Sequence, residues 1–290
     1  MAQSTIDPAI ERIYQERTAA TPTYKTRDDV GWFKRFKARN ISWSTMRIPL
    51  SLIISIFLWH ILSTYKLLIF AQVPTPLEVL REAIEYVPTE KYGYNVLYTN
   101  VRVALGFVAA CVLGVPLGLA MGYKKIFQEY SFPVFEILRP CPPIAWLPIS
   151  VIMFPTIESS VIFLVFIGAF FPVVMNTYLG VITIPVSYRY AGLSLGAQPR
   201  DIFRKIILPG AMPSIFTGCA VGMGMTWEMV VAAEMVAGGY GLGYMTWESY
   251  MFIKYPRIIL GMISLGVCGY VYSAAVRALG DKVMPWRRLF

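Results

Sequence analysis

The apolar residues of this 290-residue chain are gathered into long runs and do not recur at amphipathic spacing. Such runs point to a hydrocarbon surrounding. A bilayer core about 30 Å thick takes about 20 helical residues to cross, and six candidate spans fall at residues 48–68, 100–122, 143–155, 160–182, 214–238 and 257–278. The expected fold is an all-α integral membrane protein of about six transmembrane helices. The third span is the shortest, and Pro140, Pro142, Pro143 and Pro148 predict that it is broken or strongly tilted. Span two carries Ala110, Gly114, Gly118 and Gly122 on one helical face, which lets another helix approach closely. The partner of that face is either a helix of the same chain or a second copy.

Composition agrees with this pattern: 56% of residues are hydrophobic and 15% charged, against about 25% charged in soluble domains. Mean hydropathy is +0.55. The net charge of +9 reads mainly as topology. With both termini on one side, the ends and the two loops on that side hold 20 Lys+Arg and 9 Asp+Glu, a balance of +11, and the rest holds 6 and 8, or −2. Basic residues accumulate on the cytoplasmic side, so both termini are expected there. The division is a cytoplasmic amino-terminal segment 1–47, a transmembrane domain 48–285 and a cytoplasmic tail 286–290. No cleavable signal is evident in the polar stretch before span one. Within it, Trp32, Phe33 and Phe36 interleave with Lys34, Arg35, Lys37 and Arg39, as expected of a helix lying on an anionic membrane face. Lipid, and not nucleic acid, is the expected partner of this segment.

Metal and nucleophilic chemistry are poorly served. There is one histidine, His60, and Cys111, Cys141, Cys219 and Cys268 show no paired spacing, so the thiols are expected to pack as small hydrophobes. His60, beside Trp59 in span one, is expected to be a hydrogen-bonded packing residue. No Ser-His-Asp or Cys-His set can be assembled around it, and no GxxxxGK[ST] phosphate loop occurs. The chain is therefore not expected to be an enzyme or to hold a metal.

The most specific stretch is Tyr188–Pro209, between spans four and five. Basic side chains Arg189, Arg200, Arg204 and Lys205 surround a Gly196 suited to a left-handed turn, and Pro209 is expected to close the segment, giving a helix-turn-helix lever. The segment resembles the coupling loop of ABC importer permeases: Glu-Ala-Ala, three residues, Gly, nine residues, Ile, one residue, Leu-Pro. Ala191, Gly196, Ile206, Leu208 and Pro209 match; Tyr190 and Gly192 replace the motif glutamate and second alanine. The 138–148 stretch, Phe171–Thr177, and 231–243 with its Glu234 and Gly241-Leu242-Gly243 are similar to permeases of the nitrate, sulfonate, taurine and bicarbonate group.

That resemblance implies a type I importer (MetI-like) permease fold for residues of about 75–285. It implies two permease copies, expected as a homodimer, two separate ATPases docked on loop 187–209, and an extracytoplasmic substrate-binding protein. ATP and Mg are bound by the ATPases; no cofactor belongs to this chain. Residues expected to serve coupling are Ala191, Gly196, Arg200, Asp201, Arg204, Ile206, Leu208 and Pro209. The favoured cargo is a small anion, nitrate, nitrite or bicarbonate. Sulfonates or taurine, or an ATP-independent secondary transporter, are the alternatives.

Polar side chains inside spans are expensive unless paired or facing a cavity, which makes Arg102, Asn176, Thr177, Thr226, Trp227, Glu228 and Glu234 candidates for the pathway or for helix contacts. Glu228 and Glu234 lie about 120° apart on a helix, too far round to form a carboxylate pair. Trp227, Glu234 and Met223 share a face. A carboxylate repels an anion, so Glu234 is expected to be held by a basic residue or by amides of the 238–243 loop. Arg102 and Arg139 are candidates for headgroup anchoring as much as for cargo contact.

Overall fold

The computed structural model describes residues 43–66, 70 and 72–286, with the side chains of 43–49 left aside. The expected surface helix in 31–39 and the tail beyond Trp286 lie outside the described residues. The described residues fall into two units, one ending at Leu58 and a compact one running from Trp59 to Trp286. Helix α1 is Trp43–Thr64, and its Leu50–Leu58 stretch exposes Leu52, Ile53, Phe57 and other apolar side chains.

The main unit continues with α2 (Pro76–Tyr86), α3 (Glu90–Tyr123), α4 (Lys125–Leu138), a 3₁₀ turn (Pro143–Trp146), α5 (Leu147–Met153) and α6 (Ile157–Ile182). Next come α7 (Val186–Ser194), α8 (Pro199–Ile202), a π-turn (Phe203–Ile207), α9 (Leu208–Ala237), α10 (Leu242–Met251) and α11 (Tyr255–Val283). Threonines set three helix starts: the side chains of Thr75, Thr89 and Thr156 accept from the N–H groups of Glu78, Tyr92 and Ser159. In α2 the Glu78 carboxylate reciprocates at 2.9 Å to the Thr75 N–H, completing a capping box.

Small residues set the register. A Cβ built on Gly106 would strike Val165; on Gly114, Val173; on Gly118, the Val174 carbonyl at 2.5 Å; and on Gly122, Val181 at 2.5 Å. Residue numbers rise together along both helices, so α3 and α6 pack in parallel. The small-residue face of span two is thereby used up inside the protomer. Helix α9 runs antiparallel to α6, with Gly168 against Met229, Gly218 against Asn176 and Gly180 against Ser214. Helix α11 returns along α9, with Gly269 near Trp227 and Gly280 near Phe216. One face of the bundle therefore carries α2, α10 and the 238–257 turns (the cap face), and the other carries residues 183–207 (the loop face).

Among the described residues, four helices are long and apolar enough to cross a membrane: α3, α6, the continuous Pro199–Ala237 run and α11; Leu50–Thr64 and Pro143–Met153 are shorter apolar helices. The third expected span, 143–155, is only the second half of a crossing. Two parallel neighbours, α3 and α6, require the chain to return across the layer between them. That return is built from α4, a break at 139–142 and the 3₁₀/α5 piece. Spans two and five also begin earlier than hydropathy placed them, at Glu90 and Leu208: Thr89 caps a polar first stretch of α3, and α9 follows directly from the π-turn without a side-chain cap. Pro209 does not close the loop. The helix continues through it, and the Leu208 N–H bonds to the Phe203 carbonyl in the π-turn just before, a wider turn that absorbs the donor and space lost to a proline.

Candidate functional site

On the loop face, α7 ends in a Schellman cap. The Ala197 N–H bonds to the Gly192 carbonyl at 3.0 Å and the Gly196 N–H to the Leu193 carbonyl at 2.9 Å, with Gly196 at φ +76°, where glycine is uniquely cheap. Gly192 is buried against Ile206, and a Cβ there would lie 3.1 Å from Ile206 Cδ1. The glycine that replaces the motif alanine thus makes room for the motif isoleucine. Ile202 and Ile207 point into the core with Val181, Ala211 and Ile215.

The loop is seated on the end of α3. The Tyr123 ring meets Phe203 edge-on at 5.3 Å, and Arg189 lies 5.5 Å over the same ring. Asp201 and Lys205 form an exposed ion pair at 3.0 Å. Outward, the loop presents Tyr188, Tyr190, Leu193 and Leu195, the last 88% exposed, with exposed Ala191, Arg200 and Arg204. Of the positions expected to serve coupling, Ile206, Leu208 and Pro209 thus anchor the loop, and Ala191, Arg200 and Arg204 face outward. A cavity of about 570 Å³ at its base lies between Thr183, Tyr188, Lys205, Pro209 and Trp286.

At the cap-face end, the span candidates sort differently. Arg102 is not a headgroup anchor: its side chain is 1% exposed and forks between two carboxylates. Nη1 donates to Glu234 Oε1 at 2.7 Å and to the Tyr240 carbonyl at 2.7 Å, and Nε donates to Glu158 Oε2 at 2.7 Å. Glu234 also accepts from the Thr99 hydroxyl at 2.8 Å and the Gly243 N–H at 2.9 Å. The Leu242 N–H bonds to Thr99 Oγ1 and the Gly241 N–H to Asn95 Oδ1. Glu234 therefore uses both kinds of partner that its sign demanded, a cation and one loop amide, that of Gly243. Thr99, Asn95 and Glu158 went unnoticed in the sequence; their polar placement in or beside apolar runs was the available signal.

Met223 and Trp227 are buried in the core with Val165 and Val230, and Trp227 meets Tyr272 edge-on at 5.6 Å. Thr226 bonds back to the Gly222 carbonyl and Asn176 to the Pro172 carbonyl. Thr177 is buried with its hydroxyl unpartnered. Among these candidates Glu228 alone is exposed. His60 is exposed too and makes no hydrogen bond among the described residues, against the packing role expected of it. The inward edge of α1 is held instead by Trp59, whose Nε1 donates to the Pro74 carbonyl at 3.1 Å, and by Ser63, which bonds to the Val73 carbonyl. Among the described residues no cluster of metal-ligating side chains occurs.

A family profile for binding-protein-dependent transport system inner membrane components matches residues 114–288. The chain belongs to that family, as an ABC importer permease. It is 37% identical over 240 residues to a putative ABC transporter permease of Methanocaldococcus jannaschii, covering 81% of this chain and 90% of that one. It is 33% identical over 249 residues to a nitrate import permease of Synechocystis, covering 83% and 90%. It is 30% identical over 267 residues to a taurine transport permease of Escherichia coli, covering 87% and 96%. In fold it is similar to a chain of the inward-facing MetNI methionine ABC transporter, with a TM-score of 0.53 at 20% identity over 66% of this chain and 93% of that one. The family match takes in loop 187–209 and Glu234 but starts after Arg102.

Proposed function

We propose that this permease imports a small oxyanion, nitrate or a close chemical relative such as bicarbonate or a sulfonate, and that the loop 187–209 couples it to a separate ATPase. The observation that carries the coupling is the Schellman-capped loop. It exposes an apolar and cationic outer surface, is rigidly bonded at its turn, and runs without interruption into α9. A push on the loop is therefore delivered to a helix that spans the layer. The loop face is cytoplasmic in this reading, in line with its basic residues. A second permease copy completes the pathway, two ATPases supply ATP and Mg chemistry, and a binding protein docks on the cap face. ATP-driven closure of the motors moves the two loops together and opens the pathway outward, and hydrolysis resets it.

The anion reading rests on the likeness to nitrate and taurine permeases, with nitrate and bicarbonate ahead of sulfonates. Co-purification of an ATPase, followed by nitrate and taurine uptake into vesicles with ATP on the loop side, tests it. Uptake that persists when the ATPase is removed rejects coupling, and failure of both nitrate and the sulfonate-bearing taurine rejects the oxyanion reading.

A further inference from the structure

The return crossing between α3 and α6 breaks near the middle of the layer. Contacts along α6 place it: Gln128 bonds to Tyr178 at 2.7 Å and Phe132 stacks near Tyr178, Phe135 meets Phe170 and Phe171, Ser160 bonds to the Ser150 carbonyl at 3.0 Å, and Phe154 meets Phe163 at 5.0 Å. Residues 139–142 therefore lie level with the stretch between Phe163 and Phe170, in the central turns of Ile157–Ile182.

Two features of this break are incompatible with a lipid surrounding. Arg139 is exposed in the protomer, and no ion pair or side-chain hydrogen bond engages it among the described residues. An unpaired cation at bilayer mid-depth is costly and in practice faces water or an opposite charge. The backbone is broken as well. Pro140 has no N–H to offer the carbonyl one turn back, so the Glu136 carbonyl loses its helical donor, and Pro142 and Pro143 bring no donor either. Pro140 and Pro142 are exposed. Irregular backbone at membrane depth occurs only inside protein or along a water-filled cavity.

From the exposed Arg139 beside this broken backbone at mid-depth, we propose that Arg139 lines the translocation pathway and provides its cationic contact for the anion. The inference rests on the anion-importer reading above and adds the residue that gives the pathway its sign. Other charges bear on it. Glu136, one turn toward the loop face, is exposed and unpaired among the described residues, and so is Glu228 of α9, whose neighbour Met229 packs on Gly168 and so stands at the same depth. Arg102 sits away from the pathway, with its guanidinium consumed by Glu158 and Glu234.

Cys141, two residues on and partly exposed, is a reporter. In the full permease–ATPase complex in lipid vesicles, with Cys111, Cys219 and Cys268 replaced by serine, Cys141 is treated with methanethiosulfonates bearing a sulfonate or a trimethylammonium group. Rates are taken relative to those of a free thiol. The expected result is reaction with both reagents and a preference for the anionic one of about tenfold. Arg139→Gln abolishes that preference and Arg139→Lys retains it. Nitrate and taurine uptake fall about tenfold in the Gln variant and recover in part with Lys.

An unreactive Cys141, or equal normalised rates in the protein with Arg139 intact, overturns the proposal; equal rates mean that Arg139 is neutralised by a carboxylate. Unchanged uptake in Arg139→Gln overturns it too. The thiol measurement needs no transport, so it decides even if the Gln variant assembles poorly. ATP-driven uptake by the protein with Arg139 intact tests the importer reading separately.

Discussion

Arg102 and Glu234, 132 positions apart in sequence, meet at 2.7 Å between Nη1 and Oε1 with side chains 1% and 0% exposed. Neither charge has access to solvent, so each needs a compensating partner inside the protein. Breaking such a pair by removing one member costs about 3–5 kcal/mol, because an uncompensated charge remains buried. Glu234→Ala and Arg102→Ala should therefore each lower the unfolding midpoint in detergent steeply. Glu158→Gln should cost about 1 kcal/mol or less, since that carboxylate is 45% exposed. Equal effects at Glu158 and Glu234 would show that the fork is symmetric and the burial argument wrong.

Gly241 closes the same cluster from the other side. Its φ of +126° and ψ of 161° belong to a region essentially restricted to glycine, and a Cβ there would overlap the Glu234 carboxylate. Gly241→Ala is expected to destabilise by at least the ~1–3 kcal/mol of backbone strain. Gly224→Ala, where an added Cβ meets nothing within 4 Å, serves as the near-neutral control. Thermal unfolding of the two variants side by side checks this.

At Gly196 the demand is purely conformational, because φ is +76° and no atom lies within 4 Å of an added Cβ. Gly196→Asn should keep most ATP-driven uptake, since asparagine tolerates the left-handed region. Gly196→Val should lose most of it while the ATPase still co-purifies. Normal uptake by the valine variant would remove the turn from the coupling path.

On the cap face, Arg257 donates from Nε to Glu82 at 2.7 Å and lies 3.8 Å over the Tyr86 ring, which ties α2 to α11. A planar fork that also stacks is not replaced by an ammonium. Arg257→Lys should therefore expose α2 to proteolysis almost as much as Arg257→Ala does. Full protection in the lysine variant would reduce the clamp to simple charge pairing.

Hydrophobic runs announce membrane helices because a segment's mean apolarity is a local property, and α6 and α11 were legible in that way. The loop was legible for a related reason: Gly196 and the Ile206-Leu208-Pro209 pattern act within about 20 residues, where spacing and backbone preference decide geometry. What the pattern hid was the shape of span three. Its loop-face half, α4, looked like a connecting loop because Lys125, Glu129 and Glu136 dilute its hydropathy. Only the parallel packing of α3 on α6 shows that the chain has to cross there.

The sequence by itself determined an all-helical membrane protein with a glycine-capped turn between α6 and α9, since helix length, apolarity and turn chemistry are written over short stretches. Only the tertiary structure decided that Arg102 neutralises Glu234, that Gly114 and Gly118 pack within the protomer, that His60 faces outward, and that Arg139 is left exposed at mid-depth. Those outcomes depend on the register between helices far apart in the chain. A side chain's partner is fixed by which turns of two packed helices come level, and no local spacing encodes that.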